Sequence, residues 1–143
     1  MSRRSRPPDY DSPWKEALER FFPQFLEFFF PDAHARIDWS RGFLFLDKEL
    51  QKIGRDAELG RRFADKLVRV TTAGGEEEVV HAHVEVQGSR KEDFDRRMFV
   101  YHYRIYDRYA GPTASFAVLA DEDPTWRPGR FETGSMGTDV RFR

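Results

Sequence analysis

The pattern of hydrophobic and polar positions is clearest between residues 64 and 87, where two strand-like runs flank a pair of glycines. The second run, residues 79–87, alternates: Val80, Ala82, Val84 and Val86 are separated by His81, His83, Glu85 and Gln87. A period of two predicts a strand with one buried face. The first run, residues 64–72, is rich in β-branched residues and predicts a second strand. Gly74 and Gly75 supply the positive φ of a tight turn, so we expect a hairpin.

The register of this hairpin decides which polar side chains share a face. A loop centred on Gly75 makes the numbers of paired residues add up to 150, which places Asp65 directly opposite Glu85. Opposed side chains lie about 5 Å apart at Cβ. A two-residue turn at Gly74 and Gly75 would give a total of 149 and send the two acids to opposite faces. A functional pair therefore requires an odd-length loop or a bulge.

The acidic pair predicts a metal site. Two carboxylates this close repel one another unless a cation or a proton lies between them. Magnesium binds one or two carboxylates together with water and substrate phosphate, so Asp65 and Glu85, with Gln87 beside them on the same face, suit metal-assisted phosphodiester hydrolysis. One alternative is a pair of solvated acids on the wet face of a strand. Another is a transition-metal site of His81, His83 and Glu85.

Aromatic residues at helical spacing predict an N-terminal helix with Ser12 as its N-cap and Pro13 at its first position. Pro23 either kinks or splits this helix, and Pro31 ends it. The run from Phe28 to Phe30 predicts that the last turn is buried nearly all round. We expect the apolar stripe to be core: Trp14, Leu18, Phe21, Phe22, Phe25, Phe28 and Phe29.

The other segments predict a mixture of strands and helices. Residues 43–46 are either a short strand or the entry to a helix, and residues 47–62 form a polar face or loop. Residues 114–120 are typical of a buried strand, and residues 121–129 of a loop. Val140 and Phe142 start a last strand, and since the chain stops at Arg143 within it, we expect a truncated or incomplete member of its family.

Residues 90–109 predict a helix whose core stripe is Phe94, Met98, Tyr101, Ile105 and Tyr109. A second row, formed by Arg97, Arg104 and Arg108 with Tyr101, runs along its side. Arg97 either reaches Glu85 or a substrate phosphate, or it is a surface arginine. The whole row could instead hold DNA or a protein partner in a domain without catalytic activity.

The composition predicts one globular domain at residues 13–143, preceded by a mobile basic arm at residues 1–12. Charged residues make up 34% and apolar residues 39% of the 143 residues, and the net charge is −1, so any contact with DNA must be local. The absence of cysteine excludes disulfides and zinc–thiolate sites and suits a reducing cytoplasm. We find no signal peptide and no run of about 20 apolar residues, so we expect a cytoplasmic protein without a membrane partner.

Several motifs in order resemble the PD-(D/E)XK nuclease superfamily, and more narrowly its bacterial recombination-promoting nuclease and transposase group. The matching segments are Ala-Asp-Lys-Leu-Val at 64–68, His-Val-Glu-Val-Gln at 83–87 and Arg-Met-Phe-Val-Tyr at 97–101. Asp11 with Trp14 and Lys15 resembles the Asp-x-x-Phe-Lys opening of that group. The resemblance spans about residues 10–121.

The resemblance implies an α/β fold with a restriction-endonuclease-like αβββαβ core, in which helices flank a mixed sheet. It implies cleavage of DNA with Mg²⁺, or with Mn²⁺, in recombination or a mobile element. Asp65 and Glu85 would be the metal ligands, and Gln87 would be catalytic where many superfamily members have Lys. Because a neutral amide offers only hydrogen bonds, two outcomes stay open: an active nuclease, or an inactive nuclease-fold domain that binds DNA or a protein partner.

The resemblance also implies supporting residues around the metal ligands. Asp11, Lys15, Arg97 and Tyr101 would contact DNA or position the ligands. The third acid of the superfamily falls on the first helix, where Asp11, Glu16 and Glu19 are the candidates. The expected partner is DNA, and a homodimer is compatible with the sequence.

Overall fold

The computed structural model describes residues 11–59, 64–88 and 91–143, and the side chains of the first segment from residue 13 onward. Most of the predicted basic arm, at residues 1–10, lies outside the described residues, as does the side chain of Asp11. Within the described part of the chain, no helix combines the length and the apolar character that crossing a membrane requires.

A mixed four-stranded sheet carries the fold and confirms the α/β class. Its strands are β1 (Leu44–Phe45), β2 (Ala64–Thr71), β3 (Val79–Gln87) and β4 (Thr113–Leu119), in the spatial order β1-β2-β3-β4. The first three strands pair antiparallel, and β4 pairs parallel to β3. A parallel neighbour requires a crossover connection, and α5 (Phe94–Tyr109) lies in it.

The hairpin of β2 and β3 has the register that the odd-length loop predicts. Asp65 pairs with Glu85, and the ladder runs from Ala64 opposite Val86 to Thr71 opposite Val79. Gly74 and Gly75 adopt positive φ values of 78° and 58° in the connecting loop. Residues with odd numbers in both strands therefore share one face of the sheet.

Helices cover both faces of the sheet, so the polar face of β3 is not wet. On the even-numbered face, Val68 and Val84 pack against α1 (Asp11–Arg20) and α2 (Phe22–Phe29). On the odd-numbered face, Leu67 packs with side chains of α4 (Asp47–Asp56) and α5. The prediction of a single buried face is wrong, because α5 returns across the face that carries the histidines and acids.

The N-terminal aromatic stripe is divided between two helices. The chain bends at Phe21, and α2 begins with Pro23 in its first turn, so the splitting alternative is the observed one. Pro31 ends α2 and begins α3 (Pro31–Arg36). Phe21 is exposed and Phe28 is 79% exposed, so the predictions that they are core and that the last turn is buried all round are wrong. The bend interrupts the single helical phase on which those predictions depended.

Residues 43–46 are both a strand and the entry to a helix, because β1 leads directly into α4. For Asp47–Asp56 the solvated face is the observed alternative, because most polar side chains of α4 are exposed. Its buried residues, Leu50, Ile53 and Gly54, lie at helical spacing on the opposite face. A short 3₁₀ turn at Trp39–Arg41 precedes β1.

The C-terminal part adds a separate hairpin of β5 (Phe131–Ser135) and β6 (Thr138–Phe142). The predicted last strand is part of β6, whereas β5 was not predicted. Phe131 and Phe142 pack against Phe99 of α5 with ring centroids 5.0 and 5.8 Å apart. Strand β4 is mostly half-buried rather than buried, because it forms an edge of the sheet.

Candidate metal centre

Two strands bring three potential metal ligands together under α5. Asp65 lies on β2, and His83 and Glu85 lie on β3; one ligand atom from each falls within 4.8 Å of the others. The side chains of His83 and Glu85 are fully buried, whereas that of Asp65 is 30% exposed. Solvent therefore reaches the cluster from the side of Asp65.

Arg97 of α5 contacts both acids. Its Nε donates a hydrogen bond of 2.8 Å to Oε1 of Glu85, and its Nη2 lies 3.8 Å from Oδ2 of Asp65. The residue is only 1% exposed, so the alternative of a surface arginine is wrong. A guanidinium between two carboxylates offsets much of their mutual repulsion.

Tyr101 lies one helical turn beyond Arg97 on α5 and contacts its guanidinium. Nη2 of Arg97 donates to its Oη over 3.4 Å, and the guanidinium lies 4.9 Å from the ring centroid. Burial raises the pKa of Tyr101 to about 12, against the opposing effect of the Arg97 charge. The phenol is thus a hydrogen-bonding group and not an acid or base at neutral pH.

His83 is a buried, neutral imidazole beside Glu85. Its Nε2 lies 3.4 Å from Oε2 of Glu85, and among the described residues neither ring nitrogen has a hydrogen-bond partner. Burial, followed by the positive charge of Arg97 and a smaller electrostatic effect of His102, lowers the pKa of His83 to about 3. One ring nitrogen therefore carries a free electron pair at neutral pH.

His81 does not join this cluster, so the predicted site of His81, His83 and Glu85 is wrong in one member. The ring of His81 stacks on Tyr109 with centroids 3.9 Å apart and planes at 8°. Two residues of strand rise separate His81 from His83, and the stack with α5 holds its ring away from the acids.

Gln87 is buried on the same face as Glu85, two residues further along β3. The structure therefore places all three residues of the predicted catalytic set on one face of the hairpin. The catalytic role of Gln87 stays a prediction.

A cleft of about 460 Å³ opens beside Asp65 between α1, α4 and α5. Four cationic side chains line it: Lys15, Arg55, Lys66 and Arg97. Arg104 and Arg108, the other arginines of the predicted row on α5, are not among its lining residues in the described part of the chain. Three acids, Glu19, Asp47 and Asp65, line it as well, so the excess of positive charge in the cleft is small.

Lys66 is a buried residue of the cleft that sequence reasoning missed. Its Nζ donates to Oε1 of Glu19 over 2.7 Å and to Oδ2 of Asp47 over 3.0 Å. Desolvation lowers the pKa of Lys66, but the two hydrogen-bonded carboxylates outweigh this effect and raise it overall. The available signal was a lysine among Ala64, Val68 and Val70 on the apolar face of β2.

The three candidates for the third acid have different surroundings. Glu19 lines the cleft and pairs with Lys66. Glu16 pairs with exposed Arg20 on the outer surface of α1 and is not among the residues that line the cleft. The side chain of Asp11 lies outside the described residues. Glu19 is therefore the acid that the described part of α1 directs toward the site.

The donor set fits a divalent cation: two carboxylates and a neutral imidazole, with access from one side. We found no match to this chain among protein-family models, curated proteins or solved structures. We therefore infer function from the geometry of the site and from the motifs of the sequence.

Proposed function

We propose that this protein is a Mg²⁺-dependent DNA endonuclease of the PD-(D/E)XK type. The observation that carries the proposal is the position of Asp65 directly opposite Glu85, with their ligand atoms and that of His83 within 4.8 Å. Two acids in this arrangement, open to a cleft that Lys15 and Arg55 also line, suit metal-assisted attack on a phosphodiester.

Each residue of the site has a role in this proposal. Asp65 and Glu85 hold the cation, which when bound lowers the pKa of a water molecule and neutralises charge on the phosphate. Lys15 and Arg55, both exposed at the cleft, contact the DNA backbone. Gln87 supplies hydrogen bonds where many members of the superfamily have Lys.

The order of the elements also supports the proposal. Helices precede three antiparallel strands, and α5 then leads to a fourth strand parallel to the third. This order is compatible with an αβββαβ core into which α4 has been inserted between the first two strands. A role in recombination or a mobile element, and a homodimeric state, stay predictions.

A second candidate function is an inactive nuclease-fold domain that binds DNA. The observation that favours it is the hydrogen bond from Arg97 to Glu85, since a built-in guanidinium already neutralises part of the acidic pair. Such a domain would bind DNA with an affinity that falls steeply with salt, and it would not hydrolyse the DNA.

Cleavage of supercoiled plasmid with and without Mg²⁺ separates these two functions. We expect nicking by the wild type that requires the metal and falls about 100-fold or more in Glu85→Gln. Glu132→Gln, on the exposed face of β5, is the matched control and should retain full activity. Binding of DNA by the folded wild type without cleavage, in Mg²⁺ and in Mn²⁺, would establish the second candidate.

A further inference from the structure

His83 adds a third ligand to a site that two acids alone would define. Its side chain is fully buried, yet neither ring nitrogen has a hydrogen-bond partner among the described residues. A buried polar group without a partner costs free energy, so such a group calls for an explanation. The ring lies beside that of Tyr101, with centroids 4.6 Å apart, and its Nε2 faces the carboxylate of Glu85.

The spacing between His83 and Glu85 suits coordination of one ion. Two ligand atoms that each lie about 2.1 Å from a cation are about 3.0 to 3.4 Å apart at ligand–metal–ligand angles of about 90° to 109°. The distance from Nε2 of His83 to Oε2 of Glu85 is 3.4 Å. The third ligand, Asp65, is partly exposed and so has the freedom to adjust its position.

Arg97 and His83 face different oxygens of Glu85. Nε of Arg97 donates to Oε1, whereas His83 faces Oε2. The carboxylate can therefore keep its hydrogen bond to the guanidinium while its second oxygen joins His83 and Asp65. The hydrogen bond from Arg97 thereby holds Glu85 with its Oε2 beside His83.

The mixed donor set determines which metal is favoured. Magnesium prefers oxygen ligands and retains several waters, whereas imidazole nitrogen suits first-row transition metals. Mn²⁺ shares the carboxylate preference of Mg²⁺ and is itself a first-row transition metal, so it suits the two carboxylates and can also take the imidazole.

We propose that Asp65, His83 and Glu85 together form a site selective for Mn²⁺ over Mg²⁺, in which the imidazole of His83 is a direct ligand. This inference rests on the proposed function, because it refines the metal that the nuclease would use. This site has one more ligand atom than the two-acid Mg²⁺ site, namely the ring nitrogen of His83.

The test measures metal binding, not activity. The electron paramagnetic resonance signal of free Mn²⁺ gives the Kd for the metal, and competition with Mg²⁺ gives the second Kd. We expect the wild type to bind Mn²⁺ about tenfold or more tightly than Mg²⁺. Electron spin echo modulation of the bound Mn²⁺ should show nitrogen coupling from a coordinated imidazole.

His83→Leu removes the ligand with a side chain of similar size, and the same change at His81 is the matched control on the same face of β3. We expect His83→Leu to lose about tenfold or more in Mn²⁺ affinity and all nitrogen coupling, with Mg²⁺ affinity nearly unchanged. His81→Leu should keep both the affinity and the coupling.

Bound Mn²⁺ without nitrogen coupling would overturn the inference, as would unchanged Mn²⁺ affinity in folded His83→Leu or an absence of Mn²⁺ binding by the folded wild type. The coupling is measured on the wild type, so the result stands even where His83→Leu does not fold. Failure of the inference is distinguishable from failure of the proposed function. If His83 is not a ligand but plasmid cleavage still requires Mg²⁺ and is lost in Glu85→Gln, the inference fails and the proposed function stands. If Mn²⁺ binds with nitrogen coupling but the plasmid is not cleaved, the proposed function fails and the inference stands.

Discussion

Arg97 and Glu85 form a buried ion pair in which the arginine Nε donates to the carboxylate Oε1 across 2.8 Å. The pair joins α5 to the centre of the sheet at the position where the acids lie. Each partner lacks access to solvent, so each depends on the other for its charge to be tolerated.

Replacing Arg97 by Met should therefore destabilise the fold strongly. Removing one partner of a buried pair leaves an uncompensated charge and costs about 3 to 5 kcal/mol of unfolding free energy. The measurement is urea unfolding of the metal-free protein. Arg108→Met, on the exposed face of the same helix, should change the unfolding free energy by no more than about 0.5 kcal/mol.

The double variant Arg97→Met with Glu85→Gln tests the cause of this loss. With the carboxylate charge removed as well, the double variant should be less destabilised than the sum of the two single variants. A loss of under about 1 kcal/mol for Arg97→Met, or strict additivity in the cycle, would show that the pair does not have the energetic role given to it here.

Gly54 of α4 and Tyr101 of α5 are in contact where the two helices cross the sheet. A Cβ added at Gly54 would lie 2.8 Å from Oη of Tyr101, closer than real contacts allow. Gly54→Ala should thus destabilise the protein, although Ala ordinarily stabilises a helix by about 1 kcal/mol relative to Gly.

Removing the hydroxyl should reverse this effect. In a Tyr101→Phe background the space near Gly54 opens, and Gly54→Ala should then stabilise the protein by up to about 1 kcal/mol in thermal unfolding. If Gly54→Ala has the same effect on thermal unfolding in both backgrounds, the Tyr101 hydroxyl does not restrict the space at Gly54.

Stability should fall in mild acid because three histidines are held neutral. Burial lowers the pKa of His81, of His83 to about 3 and of His102, all below the 6.5 of an unfolded histidine. The unfolded chain therefore binds more protons below pH 6.5 and is favoured there. The stabilisation is complete above pH 6.5 and is lost progressively as the pH falls toward the folded pKa values.

Urea unfolding between pH 7.5 and pH 5.0 in the presence of a chelator measures this dependence. His83 alone should account for up to about 2 kcal/mol over this window, and His83→Leu should flatten the slope accordingly. His34→Gln, on α3 and outside the site, is the control. A slope that His83→Leu leaves unchanged would contradict the assignment of a neutral, buried His83.

The sequence narrowed the register of the hairpin to two alternatives because antiparallel pairing depends on local arithmetic. The loop centred on Gly75, which places Asp65 opposite Glu85, is the observed one. The same reasoning could not predict that the face carrying these acids is buried. Alternation along β3 is identical whether its polar face meets water or a helix, and only the path of α5 distinguishes the two.

The role of Arg97 depended on long-range packing. Nothing in its own segment indicates that this arginine is buried, and its contact with Glu85 requires the crossover between β3 and β4. In contrast, Leu50 and Ile53 of α4 lie at helical spacing in the sequence itself, and they pack with Leu67 and Ile105.

The proposed DNA hydrolysis depends on a divalent cation that we propose is held by Asp65 and Glu85. The most direct test is metal-dependent nicking of supercoiled plasmid by Asp65→Asn beside the wild type, since this change removes a ligand charge at the partly exposed edge of the site. Asp107→Asn, on the exposed face of α5, is the control. We expect that Asp65→Asn remains folded, that its nicking rate falls about 100-fold or more, and that Asp107→Asn nicks normally. Equal nicking by the wild type and Asp65→Asn would contradict this proposal.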